Sequence, residues 1–89
     1  MEAYMYSAEA LSGQTILVTG GGTGLGRAMC LRFGSLGAKV AIVGRRTAPL
    51  EQTVADIREA GGEAAWYSLD VRDPEAIRAG VDALEAELG

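Results

Sequence analysis

A doubly wound, parallel α/β sheet is the fold class this sequence predicts, and three observations predict it. Three apolar runs of strand length alternate with three amphipathic segments, the βαβαβα order that calls for a parallel sheet with crossover helices. The first two runs, Ile16-Leu17-Val18 and Val40-Ala41-Ile42-Val43, are apolar throughout, as burial beneath helices on both faces demands; a half-exposed strand would alternate. At the junction of the first strand and first helix stands Thr19-Gly20-Gly21-Gly22-Thr23-Gly24-Leu25-Gly26, glycine-rich where the chain must turn sharply.

The strands are expected at about Thr15 to Thr19, Lys39 to Gly44 and Ala64 to Asp70. Between them Leu25, Met29, Phe33 and Leu36 recur at helical spacing, then Leu50, Val54 and Ile57, then Ile77, Val81, Leu84 and Leu88. Each set predicts one buried stripe. Gly37 and Gly61-Gly62 suit left-handed helix ends, while Asp73-Pro74 supplies an N-cap side chain and a first-turn proline for the last helix. Gly34, inside the first helix, either permits close packing on the sheet or is a tolerated defect. Right-handed crossovers put the first two helices on one face and the third on the other, with strand order 3-2-1.

In a complete fold of this class a fourth strand pairs beside the first, and the ligand crevice opens where the strand order reverses. Without that strand the edge of Ile16-Leu17-Val18 is unpaired, and an isolated 89-residue chain is expected to self-associate. Residues 12–89 are therefore expected to form the amino-terminal part of a larger Rossmann-type nucleotide-binding domain, with residues 1–11 as a flexible leader.

Of the 89 residues, 48% are hydrophobic and 22% charged, the composition of a soluble globular protein. A net charge of −4 offers no basic surface for nucleic acid, and no apolar stretch approaches the length of a bilayer span, so neither class of partner is expected. The single Cys30 cannot form an internal disulfide and falls within the first helical pattern, which fits a quiet buried thiol in a reducing cytoplasm. Met1 to Leu11 lacks the basic start and apolar core of a secretory signal, and Glu2 and Glu9 without arginine argue against a mitochondrial presequence. There is no histidine, so neither a histidine metal site nor a Ser-His-Asp triad can be built from this chain alone.

The glycine-rich turn is where chemistry is expected. Gly20 can take the angles of a sharp turn, Gly24 lets a pyrophosphate approach closely, and Gly26 lets the new helix pack on the sheet. With Gly21, Gly22, Thr23 and Leu25 they complete a cradle in which the unpaired N–H groups of the first helical turn face an anion. The bland alternative is a merely flexible loop. After the second strand, where an NAD-binding chain carries a carboxylate for the ribose hydroxyls, this one carries Arg45-Arg46. A guanidinium fork binds a 2′-phosphate and stacks on adenine, so NADP(H) is favoured over NAD; the alternative is two solvated loop charges. Asp70 and Val71, after the third strand, are placed to meet the adenine amino group and ring, or else Asp70 serves the dipole of the last helix.

Thr19-Gly20-x-x-x-Gly24-x-Gly26 resembles the cofactor signature of the short-chain dehydrogenase/reductase family, and Asp70-Val71 matches that family's adenine-binding aspartate and its neighbour. The resemblance runs from about Ser12 to Gly89. Together with Ser35-Leu36-Gly37-Ala38, Arg45 and Asp70-Val71-Arg72-Asp73-Pro74 it is similar to the 2,4-dienoyl-CoA reductases, while oxoacyl-carrier-protein reductases and sugar or alcohol dehydrogenases share much of the same half. What this implies is hydride transfer between NADP(H) and a carbonyl or conjugated enoyl substrate, an acyl-CoA in the dienoyl case, by a homo-oligomer, tetramer or dimer. The family's serine and Tyr-x-x-x-Lys catalysts have no counterpart here. None of Tyr4, Tyr6 and Tyr67 has a lysine four residues on, and the only lysine, Lys39, begins a strand. The rival reading is a truncated nucleotide-binding or regulatory module with no catalysis of its own.

Overall fold

The computed structural model describes residues 11–89. In chain order it holds β1 (Thr15–Thr19), α1 (Gly24–Ser35), β2 (Lys39–Gly44), α2 (Thr47–Glu59), β3 (Glu63–Ser68) and α3 (Pro74–Leu88). The strands are parallel in the order β1-β2-β3, with Val18 opposite Ile42 and Ile42 opposite Trp66. This is the expected 3-2-1 adjacency. Residues 1–10 of the expected leader lie outside the described residues; Leu11 donates its N–H to the Leu36 carbonyl at 2.7 Å and packs against the core.

Alternation along the strands divides the apolar residues into two layers. Val18, Val40, Ile42 and Ala64 face α1 and α2, where Cys30, Leu50, Val54 and Ile57 meet them. Ala41, Val43 and Ala65 face α3 and its Leu84 and Leu88. β2 is buried on both faces from Val40 to Val43, as its unbroken apolar run predicts. β1 is not. Helix α3 lies over β3 and β2, so Leu17 stays 48% exposed beside a groove of about 200 Å³ between β1 and α3.

The helix ends follow their local chemistry. Gly37 (φ 93°) and Gly61 (φ 92°) take the left-handed conformation that closes α1 and α2, with the Ala38 and Gly62 N–H groups reaching back to the Phe33 and Ile57 carbonyls. Gly62 is not left-handed. A Cβ there would lie 2.8 Å from Ile57 Cγ2, so its constraint is space. Asp73 caps α3, its carboxylate accepting from the Glu75 and Ala76 N–H groups, and Pro74 occupies the first turn. Lys39 Nζ donates to the Leu88 carbonyl at 2.9 Å and so places a cation at the other end of that helix.

Beyond Gly62 and the open face of β1, three further expectations need correction. The buried face of α1 is turned from the predicted stripe: Cys30 is fully buried, whereas Leu25 and Met29 are 76% and 41% exposed. Gly34 faces a neighbouring helix rather than the sheet, since a Cβ there would come within 2.9 Å of Ile57 Cγ2. β3 ends at Ser68 because Asp70 starts a turn: its carboxylate accepts the Arg72 N–H at 2.9 Å, and its carbonyl accepts the Asp73 N–H.

The β1 edge, unpaired among the described residues, lies beside the exposed Leu17 and leads to a direct expectation. Light scattering after size exclusion is expected to show concentration-dependent self-association of the 89-residue polypeptide, reduced by Leu17→Lys, which sets a charge on that face. A parent chain that stays monomeric at high concentration contradicts it.

Candidate nucleotide-binding site

The loops after β1 and β2 lie side by side at the carboxyl ends of their strands, and the Gly20 N–H donates to the Val43 carbonyl at 2.9 Å across the gap. A cavity of about 250 Å³ opens between them. Gly20, Gly22 and Thr23 form one wall; Gly44, Arg45, Arg46, Pro49 and Leu50 form the other. Among the described residues of that lining, arginine is the only ionisable type.

The glycines divide the work of the turn. Gly20 (φ 70°) and Gly24 (φ 56°) take left-handed angles with nothing near a Cβ, so backbone conformation is what they supply. The rest supply closeness. A Cβ on Gly26 would run into the Gly20 carbonyl; on Gly21 it would lie 2.6 Å from Ile42 Cγ2 and 2.7 Å from Cys30 Sγ; on Gly22, 2.7 Å from Pro49 Cβ. Helix α1 can therefore begin directly against the end of β1.

Both helix starts at this cavity are electrostatically open. Thr23, the N-cap of α1, makes no side-chain cap bond, and neither does Arg46 at the N-cap of α2; neither helix has an acid in its first turn. The start of α3, away from the cavity, is capped by Asp73 and carries Glu75. The partial positive charge of the first two helices therefore goes uncompensated next to two guanidinium groups, an arrangement that favours an anion.

Asp70 and Val71 follow β3 and do not line this cavity. Val71 is 43% exposed. The Asp70 carboxylate accepts from Arg72 Nε at 3.1 Å and Nη2 at 2.9 Å; these bonds, reinforced by the Arg72 N–H and the charge of Arg45, hold its pKa below the usual carboxylate value. Leu25, at the exposed start of α1, is likewise open to solvent. Burial pushes the Cys30 thiol up to about 11, so it remains protonated and inert at neutral pH. Among the described residues no cluster of metal-ligating side chains occurs, and no helix is long and apolar enough to cross a membrane.

The far wall of the cavity extends beyond the glycine turn and the paired arginines. Pro49 and Leu50 lie just beyond Arg45-Arg46, and the signal available was a proline in the opening turn of the second helix. Arg27 also lies outside the glycine turn and the paired arginines. It reaches from α1 to Thr53 and Asp56 of α2.

Parallel strands, crossovers on both faces and an anion-favouring turn at the carboxyl end of the first strand define the nucleotide-binding half of a doubly wound α/β protein. The chain belongs to the short-chain dehydrogenase family, whose model matches residues 14–89. It is 47% identical over 81 residues to an uncharacterized oxidoreductase of Caenorhabditis elegans and 42% identical over 81 residues to a probable 2,4-dienoyl-CoA reductase of the same organism. In each case the match takes in 90% of this chain and 26% of the relative, so the chain spans about a quarter of the length of these curated relatives. Among solved structures, a citronellol catabolism dehydrogenase of Pseudomonas aeruginosa superposes with a TM-score of 0.87 at 41% identity, over 96% of this chain and 36% of that one. A metagenomic short-chain oxidoreductase in complex with NADP gives 0.80 at 38% identity, over 89% of this chain and 36% of that one. A short-chain dehydrogenase/reductase of Burkholderia phymatum in complex with NAD gives 0.82 at 32%, over 89% and 28%.

The two kinds of glycine are separable by mutation. Gly26→Ala is expected to destabilise by about 3 kcal/mol, the upper end for overpacking, because the obstacle is backbone and cannot give way. Gly24→Asn is expected to cost less than about 1 kcal/mol, since asparagine tolerates the left-handed region and the space is open. Urea unfolding followed by Trp66 fluorescence measures both; equal stabilities of the two variants contradict the distinction.

Proposed function

We propose that this chain forms the NADP(H)-binding part of an oxidoreductase acting on a carbonyl or conjugated enoyl substrate. The observation that carries this reading is the cavity with the glycine-rich turn on one side and Arg45-Arg46 on the other, with no carboxylate among the described residues that line it. When bound, the cofactor supplies the hydride; this chain's residues bind and orient it.

In this reading Gly20, Gly22, Thr23, Gly24 and Leu25 surround the pyrophosphate with the first-turn N–H groups of α1, while Gly21 and Gly26 keep the helix close enough to present them. The Arg45 fork takes the 2′-phosphate, with Arg46 as a second cation. Asp70 accepts from the adenine amino group and Val71 packs on the ring. Arg72 supports the aspartate's part by holding its carboxylate in place through the guanidinium fork. No catalytic role is assigned to any residue of the chain: Tyr67, the tyrosine within the sheet, is followed four places on by Val71.

The names of relatives support an acyl-CoA substrate through the 2,4-dienoyl-CoA reductases of C. elegans and Arabidopsis thaliana. The citronellol dehydrogenase supports a second reading, an alcohol or ketone substrate handled by the same cofactor half. A cytoplasmic setting and a homo-oligomeric whole protein belong to the same proposal.

The test is a pair of fluorescence titrations. NADPH is expected to bind more tightly than NADH, and Arg45→Asp is expected to reverse that order. The charge-assisted contact is worth about 1.5–3 kcal/mol, roughly ten- to over a hundredfold in Kd. Equal affinity for the two cofactors, or a preference that survives Arg45→Asp, refutes the assignment.

A further inference from the structure

The two walls of the cavity belong to different crossovers. Gly20, Gly22 and Thr23 precede α1, while Arg45, Arg46, Pro49 and Leu50 enter α2. A dinucleotide held as described above touches both at once, its pyrophosphate on the first wall and its 2′-phosphate on the second. Its affinity then depends on the width of the gap, and something must fix that width.

Close to the cavity one polar connection joins the helices. Arg27, in the opening turns of α1, donates from Nη1 to Thr53 Oγ1 at 3.1 Å and pairs through Nη2 with the Asp56 carboxylate, whose other oxygen accepts from Gln52 at 2.9 Å. The Thr53 hydroxyl donates in turn to the carbonyl of Pro49, a residue of the second wall, at 3.0 Å. Thr53 is completely buried, the one buried polar side chain among the described residues.

Packing does not demand that hydroxyl. Thr53 lies on the buried face of α2 with Leu50, Val54 and Ile57, where valine has nearly the same shape and no polar group to satisfy. Its hydroxyl is used fully, as acceptor from one wall's helix and donor to the other wall's backbone. Arg27 gives up the freedom of a long side chain to meet it, a cost in entropy that pure surface placement avoids.

We propose that the Arg27–Thr53–Pro49 relay sets the distance between the phosphate turn and the Arg45-Arg46 wall, and that Thr53 and Arg27 are positioning residues for a ligand spanning the two. This rests on the NADP(H) reading above. A ligand with two attachment points gains from the high effective concentration of the second once the first is engaged, and that gain falls when the spacing is wrong. A ligand touching a single wall has no such dependence.

The experiment compares NADPH, which spans the cavity, with 2′-AMP, which reaches the second wall alone, against the parent protein, Thr53→Val, Thr53→Ser and Arg27→Met. Binding is read by fluorescence for NADPH and by NMR titration for 2′-AMP. Thr53→Val and Arg27→Met are expected to weaken NADPH roughly five- to tenfold, the factor to which the net worth of one hydrogen bond converts. Binding of 2′-AMP is expected to stay at the parent value, and Thr53→Ser to restore NADPH affinity. Retained 2′-AMP binding also shows that the second wall remains folded, and either severing variant serves if the other fails to fold. Unchanged NADPH affinity in both severing variants overturns the relay, as does an equal loss for the two ligands or a failure of Thr53→Ser to rescue. A parent protein that binds 2′-AMP but not NADPH, or neither, removes the cofactor reading as well, so the two failures are told apart.

Discussion

Backbone resting directly on backbone, with Gly26 of α1 against the Gly20 carbonyl, is the constraint on which the rest of this structure depends. A side chain at that point pushes the helix away from the strand, and three consequences follow from its absence. Helix α1 starts directly after Thr23, a residue of the cavity wall. Gly21 sinks between Ile42 and Cys30, carrying the turn into the layer that holds β2. Gly22 then meets Pro49, which brings the second crossover up against the first. The cavity is what remains between two loops brought together by missing side chains.

The polar groups are arranged around this apolar frame in a consistent way. Where a helix end needs only to be stable it is satisfied internally, as at α3 with Asp73 in front and Lys39 behind. Where helix ends face the cavity their donors are left free and arginines stand nearby. Stability and the proposed anion binding thus draw on the same backbone dipoles, and the choice of residue just before each helix decides which one receives them.

The sequence was most legible where one residue type has one physical use. Asp73-Pro74 and Gly37 fell where capping chemistry put them, and the unbroken Val40–Val43 run marked the strand covered on both faces. Legibility failed where one pattern fits two environments. Leu25 and Met29 share helical spacing with Phe33, yet the tight turn at Gly26 rotates α1 so that Cys30 faces inward; the spacing gives a period, not a phase. Leu17 reads like any core residue, and whether it is covered depends on how far α3 reaches, which β1 does not encode. In the site, the glycine turn and the paired arginines were visible as local motifs. Arg27, Thr53 and Pro49 were not, because their relation to the cavity exists only once α1 and α2 pack side by side.

The two edges of the sheet are unequal. At β3 the Arg58 side chain from α2 donates through Nε to the Ala64 carbonyl at 3.1 Å and extends to Glu87 of α3 at 3.1 Å. As an exposed ion pair this contributes little to stability. Its effect is on growth: a guanidinium strapped across β3 occupies a position that an incoming strand would need, while among the described residues no side chain is strapped across β1 in the same way. The two edges therefore differ in how readily they accept a neighbour. Any additional strand, from whatever source, meets an edge beside Thr15–Thr19 that no described residue pairs with, and must first unseat an arginine to dock on the far side.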